Sequence, residues 1–283
     1  MSAFGLALVA FSLTLLLYGF GVYPVWSMWL ARRAPSRPTS SDNTPPVTLV
    51  IAARNEAAHI QSRLQNAAEL DYPDLRIVVA SDGSTDDTEA LARAFDDPRV
   101  RVVAVPTPLG KTATVVHALE AEGRPGVYAF TDATARWPTD ALRKLVAPLR
   151  DGDIGAVSGL VVYDFHDESI SRGFQQYQAV VVPSRLADSA VGWVSSVSGS
   201  ICALKSELWE RVPADLSTDL VYPLLAATHG QRAVLEPTAL SVEDSRRRPS
   251  RELRSRFRLA LSAYTFIGYL GRRWSDLPPR YRW

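Results

Sequence analysis

Acidic residues follow three of the strand-like segments in the first half of the chain. Glu56, Asp82 and Asp132 each come just after a run of apolar and β-branched residues. In an open α/β sheet, ligands bind in the crevice beyond the carboxyl ends of the strands. Carboxylates at neighbouring strand ends repel one another unless a cation or hydrogen-bond donors lie among them. This pattern predicts a site for a cation or polar ligand, although Asp132 taken alone could also cap the following turn.

The segments that must position these acids alternate between the periods of strands and helices. Alternation of this length predicts βαβ units and an α/β fold with a mostly parallel sheet, covered by helices on both faces. The predicted strands are 47–53, 75–80, 100–105, 127–131, 154–162, 195–204 and 232–235. The predicted helices are 59–70, 88–95, 111–122, 139–149, 172–186 and 218–229.

Composition excludes several classes of site and partner. The net charge of +1 over 283 residues gives no support to a nucleic-acid partner. The single cysteine, Cys202, excludes a disulfide framework and a multi-cysteine metal site, and it fits a reducing compartment. His166 and His229 lack ligand partners at metal-binding spacing, so we expect them to be surface or capping residues.

The first 33 residues form a hydrophobic segment that predicts a membrane anchor. Residues 3–30 are almost uninterruptedly apolar, which is long enough for one helical crossing. The flanking sequence lacks the charge and cleavage pattern of a signal peptide. Arg32 and Arg33 follow directly, so the N-terminus is expected outside and the rest in the cytoplasm, in a single-pass protein of the plasma membrane. Residues 34–46 read as a linker and 47–245 as the folded domain.

The C-terminal region, 246–283, is rich in arginine and contains an amphipathic helical pattern over residues 251–269. Two interpretations stay open for this helix. Its apolar face could lie in a membrane interface beside anionic lipids. It could equally pack on the folded domain and leave its arginines in water.

Short motifs, in order along the chain, resemble those of family 2 glycosyltransferases of the GT-A fold. The match runs from Val47 to Ile267, and the N-terminal helix and arginine-rich end resemble the membrane-bound polysaccharide-synthase branch. The motifs are R-N-E-A from Arg54, D-G-S-T-D-D-T from Asp82, Gly110-Lys111, T-D-A-T from Thr131, Val197-Ser198-Gly199, T-D-L from Thr218, and a G-x-R-x-V-x-E-P stretch from Gly230 to Pro237.

The resemblance implies a Rossmann-like nucleotide-diphospho-sugar transferase fold and an enzyme of the hexosyltransferase type. Its expected reaction is inverting transfer from a UDP-sugar to a hydroxyl of a glycan or a polyprenyl- or other lipid-linked acceptor, assisted by a divalent cation, Mg²⁺ or Mn²⁺. The residues expected at the nucleotide-sugar are Ala52, Glu56, Asp82, Lys111 and Asp132, with Lys111 at the diphosphate or the base and Asp132 also binding the metal.

By the same resemblance, Asp219 is the expected general base, which takes the proton of the attacking hydroxyl. An N-cap role for this aspartate stays open, as does a purely turn-forming role for Asp82. Gly199, Arg254 and Arg258 are further candidates for contacts with the acceptor or the diphosphate.

Three departures from the family pattern motivate a second interpretation. Ser81, Thr134 and Thr218 stand where many relatives have acids, and Thr134 removes the second acid of a D-x-D metal motif. The alternative is a non-catalytic nucleotide-sugar-binding or assembly subunit of a membrane polysaccharide synthase. Because the sequence contains no C-terminal membrane span, we expect that it could not form a translocation pore alone. Export of a polymer would then need a partner subunit or a homo-oligomer.

Overall fold

The computed structural model describes residues 2–32, 44–164, 168–192, 194–244 and 249–281. Most of the expected linker, residues 34–43, lies outside this part of the chain. The contacts divide the chain into two units. The first contains the N-terminal helices together with α7 (Glu168–Val191), and the second contains the sheet and the remaining elements. The domain boundary expected from sequence, 47–245, includes α7 and stays a prediction.

The N-terminal helices form one long apolar segment. Helix α1 (Ala3–Leu17) and helix α2 (Tyr23–Ala31) are joined by a π-helical turn, Tyr18–Val22. This turn ends two residues before Pro24, which has no N–H to donate to the helical ladder. Within the described residues, Phe4–Leu30 is long and apolar enough to cross a membrane, with a mean hydropathy of 2.0. In the same unit, the Tyr23 hydroxyl donates to Asp188 Oδ1 of α7 at 2.8 Å.

A seven-stranded sheet forms the framework of the second unit, in the order β3-β2-β1-β4-β6-β5-β7. Strand β6 is antiparallel to both of its neighbours, and the other pairings are parallel. The mostly parallel sheet expected from the sequence is therefore confirmed. The strands are β1 (Val47–Ala53), β2 (Leu75–Asp82), β3 (Val100–Val105), β4 (Val127–Asp132), β5 (Ile154–Asp164), β6 (Cys202–Lys205) and β7 (Arg232–Asp244).

Helices cover both faces of this sheet because side chains of successive strand residues point to opposite sides. Leu49 and Ile51 belong to the core on one face, whereas Val50 belongs to the core on the other. The helices of this unit are α3 (Ile60–Ala68), α4 (Thr88–Arg93), α5 (Lys111–Glu122), α6 (Ala141–Val146), α8 (Thr218–Thr228) and α9 (Pro249–Arg273). Short 3₁₀ turns follow α6, β6 and α9.

Two predicted strands differ from the observed ones by more than two residues at one end. The predicted strand 195–204 begins only at Cys202, because the preceding residues form a turn in which Ile201 N–H donates to the Ser198 carbonyl at 3.1 Å. The predicted strand 232–235 continues to Asp244. After an irregularity in register, its last residues pair with the end of β5. The first difference comes from a local turn, and the second comes from pairing between segments far apart in the chain.

The reversed direction of β6 positions the functional residues. Cys202 pairs with Phe130 of β4 in antiparallel register. The residues just before β6 therefore lie beside the end of β4, where Asp132 is. A parallel strand at this position would have placed its own carboxyl end there instead.

Candidate active site

An ion pair joins the last residue of β4 to the first residue of α5. Lys111 Nζ lies 2.5 Å from Asp132 Oδ1, and the two side chains are 44% and 34% exposed. Loss of solvent alone would lower the pKa of the Lys111 ammonium, but the carboxylates of Asp132 and Asp219 outweigh that effect and raise this pKa. Lys111 is therefore a fixed positive charge at the carboxyl end of the sheet.

Asp219 approaches the same point from the first turn of α8. A Cβ atom built on Gly199 would lie 2.8 Å from Asp219 Oδ1 and 3.1 Å from Lys111 Nζ. The carboxylate and the ammonium thus border the same glycine, and a side chain at this position would displace one of them. The Asp219 backbone is fixed as well, because its carbonyl accepts from Val197 N–H at 2.8 Å.

Asp82 holds the chain segment that leads into Lys111. Its Oδ1 accepts from Leu109 N–H at 2.7 Å, from Gly110 N–H at 3.1 Å and from the Thr114 hydroxyl at 2.8 Å. The carboxylate is buried and satisfies backbone donors at the start of α5, as an N-cap does. The structure therefore gives Asp82 a local role in positioning Lys111. Its expected contact with the nucleotide-sugar stays a prediction.

The loops after β1 and β2 are connected by side-chain hydrogen bonds. Asn55, with φ +55°, accepts from Thr85 N–H at 2.8 Å through its side-chain oxygen. Glu56 N–H donates to the Thr88 hydroxyl at 2.7 Å, and the Glu56 carboxylate contacts His59 Nδ1 at 2.8 Å. Ala52 lies between these loops and Asp132, with which it pairs in register. The loops thus form one connected rim beside the ion pair.

Ser200 and Glu243 also belong to this site, and neither was predicted from the sequence. The Ser200 hydroxyl lies 3.2 Å from Asp132 Oδ2 and also contacts Glu243 Oε1. Glu243 lies in the part of β7 beyond the predicted strand. Leu240 and Val242 alternate with other residues and so indicate an extended strand here, but this pattern does not predict that the side of the strand carrying Glu243 is the buried one.

Among the other candidates, the structure describes the side chain of His229. Arg254 and Arg258 are in α9, but their side chains lie outside the described residues, as does His166. The His229 ring contacts the Leu225 carbonyl through Nδ1 at 2.9 Å, at the end of α8.

The carboxylate oxygens of Asp132 fit a cation whose remaining coordination positions are filled by a bound substrate. Among the described residues there is no group of three or more histidine, cysteine, aspartate or glutamate side chains that could hold a metal ion. Thr134, two residues beyond Asp132, is exposed and offers no carboxylate. Mg²⁺ typically binds one or two carboxylates together with substrate phosphate oxygens. Asp132 is suited to such a shared site and does not form a closed protein cage.

Comparison with known proteins identifies the family. A family model described as glycosyl transferase family 2 matches residues 48–210. This chain belongs to glycosyl transferase family 2. A solved structure of similar fold is that of mannosyltransferase PcManGT from Pyrobaculum calidifontis, in complex with GDP-Man and Mn²⁺. It is 28% identical with a TM-score of 0.70, covering 90% of this chain and 74% of that one. The GT-A fold expected from the motifs is confirmed.

Curated relatives of this family 2 chain include two N-acetylglucosaminyltransferases. The protein from Rhizobium meliloti (strain 1021) is 27% identical over 227 residues, covering 72% of this chain and 52% of the relative. The protein from Neorhizobium galegae is 25% identical over 269 residues, covering 86% of this chain and 61% of the relative. The chain therefore spans about half the length of the curated relatives it matches.

The contacts of Asp82 predict a stability effect at this site. Asp82→Ala leaves the N–H groups of Leu109 and Gly110 without their acceptor, so we expect the free energy of unfolding to fall by about 1–2 kcal/mol. Denaturant titration of the detergent-solubilised chain measures this change. Asp87→Ala is the matched control because Asp87 is exposed and makes no side-chain cap bond to α4. Equal stability of the two variants would contradict the capping role.

Proposed function

We propose that this chain is an inverting glycosyltransferase that transfers a sugar from a UDP-sugar to a hydroxyl of a glycan or lipid-linked acceptor. The observation that carries the proposal is the convergence of the Asp132 and Asp219 carboxylates on the Lys111 ammonium, beside Gly199. Departure of a nucleotide diphosphate requires a positive charge and a carboxylate that binds a cation. Activation of a hydroxyl requires a second carboxylate as the base.

Lys111 and Asp132 serve the donor. The Lys111 ammonium offers a compact positive charge to the diphosphate oxygens, on which negative charge grows as the glycosidic bond breaks. Asp132 would hold Mg²⁺ or Mn²⁺, and this cation supplies Lewis-acid stabilisation of the leaving diphosphate when bound. The structure of the mannosyltransferase relative with GDP-Man and Mn²⁺ supports this assignment.

Asp219 serves the acceptor. We assign it as the general base that removes the proton of the attacking hydroxyl. Gly199 leaves the space beside this carboxylate that a hydroxyl needs.

The nucleotide would lie along the loops after β1 and β2. Ala52 and Glu56 border this region, and Asp82 holds its far side through the start of α5. The UDP moiety rests on the family resemblance, and the two N-acetylglucosaminyltransferase relatives make UDP-N-acetylglucosamine the first donor to test. GDP-mannose is the comparison, because the solved relative carries GDP-Man.

Transfer by the reconstituted full chain tests the assignment of Asp219. We expect nucleotide release from a UDP-sugar, abolished by EDTA and restored by Mn²⁺ or Mg²⁺. Asp219→Asn should lower the rate by about 10²–10⁴-fold, because it removes the base and leaves the donor contacts in place. Calorimetry with UDP and Mn²⁺ should give the same affinity for this variant and the wild type.

Asp215→Asn is the matched control, since Asp215 is exposed in the loop before α8. It should retain wild-type transfer. Full activity of Asp219→Asn would refute the base assignment. Binding of UDP without transfer from any UDP- or GDP-sugar would favour the non-catalytic binding or assembly subunit instead.

We further propose that the chain is anchored in the plasma membrane through Phe4–Leu30, with the sheet-containing unit in the cytoplasm, and that α9 lies against the same membrane. Tyr269 packs one face of α9 against the core and donates to Glu210 at 3.3 Å. The other face exposes Leu261, Tyr264 and Ile267, and Tyr264 is 78% exposed. Arginines in the first turns of this helix, by sequence, complement anionic lipid.

Single-site labelling tests this membrane contact. Cys202 is 1% exposed and burial raises the pKa of its thiol, so an added surface cysteine can be labelled selectively. A polarity-sensitive dye at Tyr264→Cys should shift to the blue when the full chain is in phosphatidylglycerol nanodiscs, relative to detergent. A dye at Gly152→Cys, an exposed turn before β5, should not shift. Equal spectra at both positions would refute the contact.

A further inference from the structure

The hydroxyl of Ser200 connects the cation-binding acid to a buried carboxylate. Ser200 Oγ lies 3.2 Å from Asp132 Oδ2 and contacts Glu243 Oε1 on its other side. Glu243 is 4% exposed, so it lies behind Ser200 and not at the open surface of the site. The Ser200 hydroxyl therefore links the partly exposed carboxylate of Asp132 to the buried carboxylate of Glu243.

The backbone around both residues is fixed by contacts that do not involve the carboxylates. The Trp137 indole N–H donates to the Ser200 carbonyl at 3.0 Å. Arg136 N–H donates to the Val242 carbonyl at 2.9 Å, and Val242 N–H returns a bond to the Arg136 carbonyl at 2.7 Å. This bridge connects the loop after β4 to β7, one residue before Glu243. Both side chains are thus presented to Asp132 by rigid elements.

The two oxygens of Asp132 have different partners. Oδ1 carries the Lys111 ammonium, which faces the open side of the site, and Oδ2 carries Ser200 on the interior side. We propose that Ser200 is a positioning residue that holds Oδ2 and that Glu243 modulates this contact through Ser200. Oδ1 is then the oxygen that releases Lys111 and binds the cation of the donor. The side chain then needs no rotation when the donor arrives, because its interior oxygen is already held.

Ser200 has a single hydroxyl proton and two carboxylate neighbours. It donates to one of them at a time, so the Asp132 and Glu243 carboxylates compete for the same hydrogen bond. Glu243 therefore sets how strongly Ser200 holds Asp132. Changes at Glu243 should alter donor binding although this residue lies behind Ser200 and is not proposed to contact the donor.

The inference rests on the proposed function, and nucleotide binding tests it without turnover. We expect Ser200→Ala to weaken the binding of UDP with Mn²⁺ about tenfold in calorimetry on the full chain, because the carboxylate loses a charge-assisted hydrogen bond. The KM for the donor should rise by a similar factor, while the KM for the acceptor stays unchanged. Ser200→Thr keeps the hydroxyl and should restore binding to within about threefold of the wild type.

Ser206→Ala is the matched control. The Ser206 hydroxyl accepts from Gly126 N–H at 2.8 Å beyond the other end of β6, so its loss removes one hydroxyl contact away from the site. This variant should lose stability without losing affinity for UDP. Glu243→Gln should raise the affinity for UDP with Mn²⁺ in the same assay, because a neutral amide oxygen competes less well than a carboxylate for the Ser200 hydroxyl.

The outcomes separate the positioning role from the function. Wild-type UDP affinity in both Ser200→Ala and Glu243→Gln, whatever their stability, would overturn the inference and leave the glycosyltransferase assignment standing. A wild-type chain that binds neither UDP nor GDP with Mn²⁺ would overturn the proposed function and this inference with it. Failure of Ser200→Thr to restore binding would also count against a role for the hydroxyl.

Discussion

The contact between Lys111 and Asp132 is the interaction on which the rest of the site depends. Both side chains are partly exposed, so the pair contributes no more than about 1 kcal/mol to stability. Its importance lies in charge balance, because Asp132 and Asp219 approach each other closely only with a cation between them. Lys111 supplies that cation in the absence of a donor. A nucleotide diphosphate needs the same positive charge, so it competes with Asp132 for the Lys111 ammonium.

Several separate structural elements serve to place this pair. Asp82 fixes the start of α5 and with it the root of the Lys111 side chain. The antiparallel strand β6 brings the turn at Gly199 and Ser200 to the end of β4. The extension of β7 adds Glu243. The site is therefore assembled from segments distant in sequence, and each aims one group at a shared point.

The parts of this arrangement that depend on local signals could be predicted from sequence. The bounds of β1, β3 and α5 agree with the prediction, because apolar runs or helical periods there end at strong turn residues. The residues Lys111, Asp132, Asp219 and Gly199 were predicted and lie together. Ser200 and Glu243 were not, because their role depends on the reversal of β6 and on the register of β5 with β7. Neither of these leaves a local pattern in the chain.

A crystal structure of the chain with UDP and Mn²⁺ tests most directly whether the diphosphate replaces Asp132 as the ion-pair partner of Lys111. The expected result is that Lys111 Nζ contacts diphosphate oxygens, that Asp132 Oδ1 binds the cation, and that Asp132 Oδ2 keeps its hydrogen bond to Ser200. Bound UDP with Lys111 still paired to Asp132 Oδ1, and no cation on that carboxylate, would contradict the exchange.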